Sequence, residues 1–224
     1  MADDLDALLS EQRRYYDQRA GEYDEAYTRT RAHDRGPDGN AEWRREMERL
    51  TVAFDAVPLA GDVLELAAGT GTWTARIAGR ASSLTVIDAS AAMLDANRDR
   101  LGALAASVDY RVADLFVWEP EREWDACVFG FFLCKVPDSR VDGWLRVVAS
   151  AVRAGGAVCC VDKTATVEPD IETEERVLND GRRFRIIDHP RPPGRVAELF
   201  ETAGFDVRVE TFGPRFCLAR GIRA

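Results

Sequence analysis

Short apolar segments alternate with segments of helical spacing between residues 60 and 162, and this alternation limits the fold more than any other feature of the sequence. Apolar strands that alternate with helices are typical of a parallel sheet with helices on both faces. The sequence therefore predicts an α/β fold with a Rossmann-like, doubly wound and mostly parallel sheet. The predicted strands of this central part are residues 62–67, 84–88, 108–113, 124–129 and 156–162.

The two ends of the chain differ from this central part. Residues 1–57 are rich in charge and carry apolar residues three or four positions apart, a spacing typical of amphipathic helices. We expect them to form a helical N-terminal cover, or lid, over a ligand-binding domain of residues 58–224. Strand-like segments at 205–210 and 216–219, joined through a Gly-Pro pair, predict an antiparallel hairpin at the C-terminal edge of the sheet.

Charge and composition exclude several classes of protein. The chain has 30 basic and 39 acidic residues, a net charge of −9, whereas binding to a phosphate backbone needs a basic face. No segment approaches the ~18 apolar residues of a membrane span, and the N-terminus lacks the pattern of a secretory signal. Five cysteines without a CxxC pair predict reduced thiols. We expect a cytoplasmic protein without nucleic-acid or membrane partners; its oligomeric state is left open.

The first predicted strand runs directly into a glycine turn. Glu65 is followed by Leu-Ala-Ala and then by Gly69-Thr-Gly71. Glycines allow a tight turn and a close approach to a ligand, and the next helix offers its N-terminal N–H groups. A dinucleotide fingerprint has a third glycine three residues later, and Thr74 occupies that position here. The motif disfavours a nicotinamide dinucleotide, although a dehydrogenase stays an alternative.

Carboxylates end the second and third predicted strands. Asp88 is placed to accept hydrogen bonds from both hydroxyls of a ribose. Asp114 could accept a hydrogen bond from an exocyclic amine while the N–H of Leu115 donates to a ring nitrogen, a pair that would recognise adenine. Met93, one turn into the helix after Asp88, could pack on the adenine, and packing in the core is the alternative.

These motifs, VLELAAGTG, VIDAS with AAML, VADLF and RAGGAVCCVD, together resemble the nucleotide-binding core of the class I S-adenosylmethionine-dependent methyltransferases. The resemblance spans residues 60–162. Near the N-terminus, YYDQRAGEYDEAY resembles the aromatic, acidic lead-in of bacterial small-molecule methyltransferases, whose tyrosines close over the cofactor. The resemblance implies S-adenosylmethionine as cofactor, S-adenosylhomocysteine as product and a small-molecule acceptor.

The resemblance also implies a role for each matching residue. The glycine turn would face the methionine end of the cofactor, Asp88 would hold the ribose, and Asp114 with Leu115 would hold the adenine. Tyrosines of the N-terminal cover would belong to the lid, although they could equally anchor the first helix. The predicted cofactor-binding residues are Tyr15, Tyr16, Tyr23, Glu65, Ala67, Gly69, Gly71, Asp88, Ala89, Met93, Asp114, Leu115 and Phe131.

Candidates for a catalytic base are few. Family members often have His-Val-Pro after the fourth strand, and this chain has Lys135 in place of that histidine. His33, in a polar loop, and His189, between an aspartate and a proline, are the candidate catalytic residues, with solvated loop positions as the alternative. Cys159 and Cys160 would point to opposite faces of a strand, and no carboxylates have ligand spacing. We therefore expect no metal.

The predicted function is methyl transfer from S-adenosylmethionine to an O, N or C nucleophile of a small metabolite, in bacterial secondary metabolism. We expect the helical cover and a loop at residues 164–193 to form the acceptor pocket. Within that loop, Arg183 and Arg185 could hold an acceptor carboxylate or phosphate, or form a solvated edge. The alternatives are a methyltransferase of protein or RNA, a non-catalytic or repurposed partner subunit of methyltransferase fold, and an NAD-dependent oxidoreductase.

Overall fold

The computed structural model describes residues 2–167, 169 and 172–224. A seven-stranded sheet lies at its centre. β1 is parallel to β2 on one side and to β4 on the other. The strand order reverses between β1 and β4, and sheets of this kind bind ligands at such a point. Side by side, the strands are β3 (Val108–Val112), β2 (Ser83–Asp88), β1 (Asp62–Leu66), β4 (Trp124–Gly130), β5 (Val152–Lys163), β9 (Phe216–Arg223) and β8 (Phe205–Phe212).

The C-terminal strands form the edge that the sequence predicted. β9 is antiparallel to β5, and β8 is antiparallel to β9 at the outside of the sheet. The remaining pairs, β2 with β3 and β4 with β5, are parallel. The expected Rossmann-like, mostly parallel sheet with an antiparallel C-terminal edge hairpin is therefore confirmed.

A second, two-stranded sheet lies within residues 164–193, where the sequence predicts a loop with one strand-like segment, residues 184–187. β6 (Thr173–Val177) pairs in antiparallel fashion with β7 (Arg183–Ile187). β6 has the sequence TEERV. Its three adjacent charged residues lack the alternation of apolar and polar residues that would predict a strand. This hairpin packs against the first helix through a small cluster that contains Leu178, Phe184 and Ile186.

Seven α-helices are present in the described part of the chain. Helices and strands bury the two sheet faces in separate apolar clusters, and the adjacent residues Cys159 and Cys160 fall into different clusters, as expected for neighbours on a strand. The helices are α1 (Ala2–Arg19), α2 (Glu25–Thr28), α3 (Gly36–Asp55), α4 (Thr74–Ile77), α5 (Ala91–Leu101), α6 (Asp138–Ala151) and α7 (Pro193–Thr202).

The N-terminal helices cover the sheet in two different ways. α3 buries Leu50 and Phe54 in the same apolar cluster as strand residues such as Val63 and Leu218. α1 lies against β7 and carries Gln12, Tyr15 and Tyr16 toward the ends of the strands. The division into residues 1–57 and 58–224 stays a prediction. No helix among the described residues combines the length and apolarity that a membrane crossing requires.

Candidate active site

A cavity opens where β1, β2, β3 and β4 end, and we call it the strand-end cavity. Residues that end or directly follow these strands line one side of it, and residues of α1 together with Tyr23 line the other. Ten of the thirteen predicted cofactor-binding residues line it: Tyr16, Tyr23, Ala67, Gly69, Asp88, Ala89, Met93, Asp114, Leu115 and Phe131.

The glycine turn after β1 is fixed from behind by buried polar side chains. Gly71 has a φ of +88°, and a Cβ there would lie 2.7 Å from Cγ of Asn97, so a larger residue has neither the conformation nor the space. Asn97 donates to Oγ1 of Thr74 at 2.8 Å and accepts from the hydroxyl of Tyr110 at 3.0 Å. Gly71 therefore supports the turn without lining the cavity.

Gly69 in the same turn borders open space instead. Its φ is +53°, and a Cβ would meet only the ring of Tyr23, at 3.9 Å. Two residues that are not glycine, Ala67 and Phe131, also have positive φ values, +52° and +56°, at the ends of β1 and β4. Such conformations cost free energy in L-residues and concentrate at binding sites. The backbone here is shaped to leave room for a ligand.

The carboxylate of Asp88 is held in place by the backbone around it. Its Oδ2 accepts from the N–H of Gly69 at 2.9 Å and its Oδ1 accepts from the N–H of Ser90 at 2.9 Å. Burial raises the pKa of Asp88, and these hydrogen bonds oppose that shift. Because each carboxylate oxygen has a further lone pair, Asp88 can still accept hydrogen bonds from two hydroxyl groups of a ligand.

Asp114 joins the cavity to α1. Its Oδ1 accepts from the N–H of Phe116 at 3.0 Å, and its Oδ2 pairs with the guanidinium of Arg13. Leu115 and Met93 are buried side chains that complete this part of the wall. A carboxylate, a backbone N–H and apolar side chains are the groups that an adenine needs, and Arg13 adds a cation that sequence reasoning did not place here.

Three predicted residues lie behind the cavity wall. Gly71 is one. Glu65 is 1% exposed, and burial raises its pKa to about 8 while a hydrogen bond with Thr74 opposes the shift. Tyr15 packs against Phe184, with ring centroids 5.7 Å apart. Their predicted direct roles in binding gain no support, because none of the three lines the cavity.

Sequence reasoning missed part of the lining. Ser90 follows Asp88 closely, and its role as the N-cap of α5, with Oγ accepting from the N–H of Met93 at 3.1 Å, was the available signal. The other missed residues lie on α1 or in the turns after β3 and β4. Local sequence patterns do not show which face of α1 packs on the sheet or how the chain turns after these strands. The missed lining residues are Gln12, Arg13, Ser90, Phe116, Gly130, Phe132 and Lys135.

Comparison with known proteins decides the family. Residues 63–156 match the family model described as a methyltransferase domain. The structure of DhpI in complex with SAH is 36% identical, with a TM-score of 0.79, and the alignment covers 97% of each chain. The chain belongs to the class I S-adenosylmethionine-dependent methyltransferases. The DhpI–SAM–HEP complex agrees, at 36% identity, a TM-score of 0.78 and coverage of 96% of this chain and 97% of that chain.

More distant structures share the fold. A methyltransferase from Mesorhizobium loti is 20% identical, with a TM-score of 0.61 over 84% of this chain and all of the other. The glycopeptide N-methyltransferase MtfA with bound S-adenosylmethionine is 19% identical, with a TM-score of 0.60 over 80% of this chain and 94% of that chain. No curated protein matches the sequence. The family assignment confirms S-adenosylmethionine as the cofactor of this methyltransferase, in place of a nicotinamide dinucleotide.

A second cavity of about 230 Å³ adjoins the strand-end cavity. The two share Tyr16, Tyr23, Phe131 and Lys135, which form the junction. We call the second one the cationic cavity, because the described residues that line it include five cationic side chains and no carboxylate. These are Arg19, Arg29, Lys135, Lys163 and Arg176.

One buried carboxylate organises three of these cations. Asp188 pairs with Lys135 at 2.8 Å, with Arg176 at 3.1 Å and with Lys163. Burial favours the protonated form of Asp188, but the ammonium groups of Lys135 and Lys163 outweigh it and hold its pKa well below the usual range. Burial lowers the pKa of Lys135, yet acidic neighbours including Asp188 outweigh this and raise it above the ordinary value. Lys135 is therefore a fixed positive charge at the junction.

His33 lies in the lining of the cationic cavity, as a neutral imidazole. Its Nε2 is 3.1 Å from a guanidinium nitrogen of Arg19, and since a guanidinium only donates, Nε2 must accept. Burial lowers the pKa of His33 to about 4, and the charges of Arg19, Arg176 and Arg29 act in the same direction. A neutral His33 has the right form for a proton acceptor, but its Nε2 lone pair is engaged by Arg19.

The titration of His33 tests this arrangement. We expect the His33 ring to stay neutral down to about pH 4, whereas an exposed histidine titrates near 6.5. Because the unfolded state binds the proton at higher pH than the folded state, the free energy of unfolding should fall as the pH drops from about 6.5 toward 4. Proton NMR of the two histidines, with His33→Gln for assignment, measures the pKa of His33. A His33 pKa at or above 6.5 would contradict the geometry.

His189 is not the exposed loop residue that the sequence suggested. It is 2% exposed, and its backbone N–H donates to the carbonyl of Cys134 at 2.8 Å. This hydrogen bond joins residues 188–191 to the turn after β4. It lines neither of the two cavities described above. Its predicted catalytic role therefore gains no support from the structure.

The fold also assembles a group that sequence spacing did not reveal. Ligand atoms of Asp138, Glu172 and His189 lie within 4.8 Å of one another. However, the guanidinium of Arg191 already pairs with Asp138 at 2.5 Å, so this group has a cation of its own. The absence of a metal stays an expectation.

Arg183 and Arg185 point away from both cavities. Arg183 pairs with Glu175 across the β6–β7 hairpin, and Arg185 pairs with Glu11 of α1 at 3.5 Å. Both are exposed. Of the two interpretations of these arginines, the structure favours the solvated edge, and the arginines that line the cationic cavity are Arg19, Arg29 and Arg176 instead.

Proposed function

We propose that this methyltransferase methylates an oxygen, nitrogen or carbon nucleophile of a small metabolite held in the cationic cavity. The observation that carries the proposal is the junction, where the strand-end cavity and the cationic cavity meet at Tyr16, Tyr23, Phe131 and Lys135. A place in secondary metabolism is part of the proposal, and the chain shares its fold with an enzyme named as a glycopeptide N-methyltransferase. The bacterial, cytoplasmic setting expected from the sequence is part of the proposal.

The residues of the strand-end cavity fit the cofactor. Asp88 would accept hydrogen bonds from the ribose hydroxyls, Asp114 and Leu115 would hold the adenine, and the open space beside Gly69 would take the methionine end. When bound, S-adenosylmethionine supplies an electrophilic methyl group on a sulfonium. The chain's part is alignment, since methyl transfer needs the reacting atoms about 3–3.5 Å apart and in line.

The junction residues orient the acceptor and exclude water. Burial raises the pKa of Tyr16 to about 12 and raises that of Tyr23 as well, so both remain neutral phenols that donate hydrogen bonds. Lys135 keeps its proton and serves as a positive charge facing the acceptor. His33 stays the candidate base of this cavity, but its lowered pKa of about 4 and the contact of its Nε2 with Arg19 would make it a weak proton acceptor.

A labelled-methyl assay tests the proposal. The chain is incubated with S-adenosylmethionine carrying a deuterated methyl group and with three pools: small metabolites, total RNA and protein. We expect label in small molecules only, and loss of label with Asp88→Ala but not with Asp95→Ala, an exposed carboxylate on α5. Label in RNA or protein alone would contradict the proposal. Binding of S-adenosylmethionine without transfer to any pool would indicate a non-catalytic partner subunit.

A further inference from the structure

We propose that the cationic cavity binds a compact oxyanion, a phosphate-type or carboxylate group, through which the methyl acceptor is held. The role in methyl transfer rests on the proposed function above, whereas the binding of the anion rests on the cavity alone. Arg19, Arg29, Lys163 and Arg176 are the residues that would contact it.

The carboxylates of the described residues leave part of the positive charge of the cavity unpaired. Five cations line it, and the described carboxylates that pair with them are Asp188 and Glu174. This excess of positive charge lies in a chain whose net charge is −9. Since a cation removed from water is costly unless it is paired, an anionic ligand would supply the missing charge.

Two arginines in particular lack carboxylate partners in the described part of the chain. Arg19 is 8% exposed and forms no ion pair there; its neighbours are His33 and the rings of Tyr15 and Tyr23. Arg29 forms no ion pair there either, and its Nε is buried without a hydrogen-bond acceptor. Guanidinium groups are well suited to hold an oxyanion with two N–H groups at once.

The guanidinium groups of Arg19 and Arg29 stack on the faces of aromatic rings. Arg19 lies 5.1 Å from the ring centroid of Tyr23, and Arg29 lies 5.1 Å from that of Trp43. A guanidinium stacked on a ring keeps the N–H groups at its edge available for hydrogen bonds. The cavity thus presents oriented donors with an uncharged aromatic wall.

The cations approach from two sides of the cavity. Arg19 and Arg29 belong to the N-terminal cover, while Lys163 ends β5 and Arg176 belongs to β6. An anion between them would tie the cover to the sheet. Because the cavity meets the cofactor site at Lys135, an acceptor held by its anionic group can extend its nucleophile toward the junction.

Titration calorimetry with inorganic phosphate and with acetate, each added to the chain saturated with S-adenosylhomocysteine in a phosphate-free buffer, tests the inference. The chain offers matched controls. Arg29 and Arg31 both have left-handed backbone, with φ of +58° and +52°, but Arg31 is exposed and pairs with Glu25. Arg176 of β6 is matched in the same way by the exposed Arg183 of β7.

We expect Arg29→Gln and Arg176→Gln each to weaken anion binding at least tenfold, and Arg31→Gln and Arg183→Gln to leave it unchanged. Tighter binding of phosphate would assign a phosphate-type group, and tighter binding of acetate would assign a carboxylate. In the wild type, the anion should also raise the pKa of His33, because it offsets the repulsion of the nearby arginines. No binding of either anion, or equal binding by all four variants, would overturn the inference.

The binding of S-adenosylhomocysteine separates this inference from the proposed function and also checks that each variant is folded. If S-adenosylhomocysteine binds and both anions do not, the inference fails while the methyl-transfer proposal stands. If phosphate binds to the wild type and the chain transfers no methyl group, the proposed function fails while the anion site stands.

Discussion

Replacement of Asp88 with alanine is expected to weaken the binding of S-adenosylhomocysteine by about 1.5–3 kcal/mol, which is roughly a 10- to 150-fold rise in Kd. The physical reason is that a carboxylate accepting ligand hydroxyl groups forms charge-assisted hydrogen bonds, the stronger kind. The backbone N–H groups of Gly69 and Ser90 already fix this carboxylate, so it needs no rearrangement on binding. Titration calorimetry at neutral pH measures the change.

Two further variants make the Asp88 result specific. Asp88→Asn keeps the shape and one acceptor oxygen, and we expect a smaller loss of affinity than with alanine. Asp95→Ala removes a carboxylate that pairs only with Arg98 on the outside of α5 in the described structure, and we expect no loss. Thermal unfolding of each variant shows whether the fold is intact. A folded Asp88→Ala variant with wild-type affinity would remove the ribose contact from the account.

Replacement of Asp188 with alanine is expected to lower the free energy of unfolding by about 3 kcal/mol, the lower end of the range for a broken buried ion pair. Its side chain is only 10% exposed and faces Lys135, Lys163 and Arg176. Removing it leaves three cations near one another without their shared partner. Since its folded pKa is depressed, its contribution is present above pH ~4, where the unfolded group also ionises. Denaturant unfolding at pH 7 measures the loss.

The control for Asp188 comes from the turn between β6 and β7. Asp180 pairs with Arg182 in solvent, and we expect Asp180→Ala to leave the stability unchanged, because exposed pairs contribute little. Phosphate should restore part of the stability lost in Asp188→Ala, since an anion in the cationic cavity would replace the missing charge. Equal stability of Asp188→Ala and Asp180→Ala would mean that the cluster does not depend on this carboxylate.

The sequence predicted the part of the site that strand ends determine. Asp88 ends β2, and Asp114 follows the end of the adjacent parallel strand β3, so their place at the same edge of the sheet follows from the order of the strands. Ser90 caps α5, and a serine directly before a helical segment is a local signal of such a cap. The positive φ of Gly69 and Gly71 also follows from a glycine turn between a strand and a helix. In each case the signal is local or follows from the topology.

The rest of the site depends on contacts between distant segments. Arg13 meets Asp114, and Lys135 meets Asp188, across large separations in the chain. The face that α1 presents and the presence of β6 follow from tertiary packing, which a charged segment such as TEERV does not reveal. For the same reason, His33 could be placed beside Arg19 only once the structure was known.

The most direct test of the two adjoining cavities is a crystal structure of the chain with S-adenosylhomocysteine and phosphate. The account predicts ribose hydroxyls within hydrogen-bond distance of Asp88, the cofactor sulfur facing the junction at Phe131 and Lys135, and phosphate between Arg29 and Arg176. A cofactor whose ribose lies away from Asp88, or whose sulfur faces away from the cationic cavity, would contradict it.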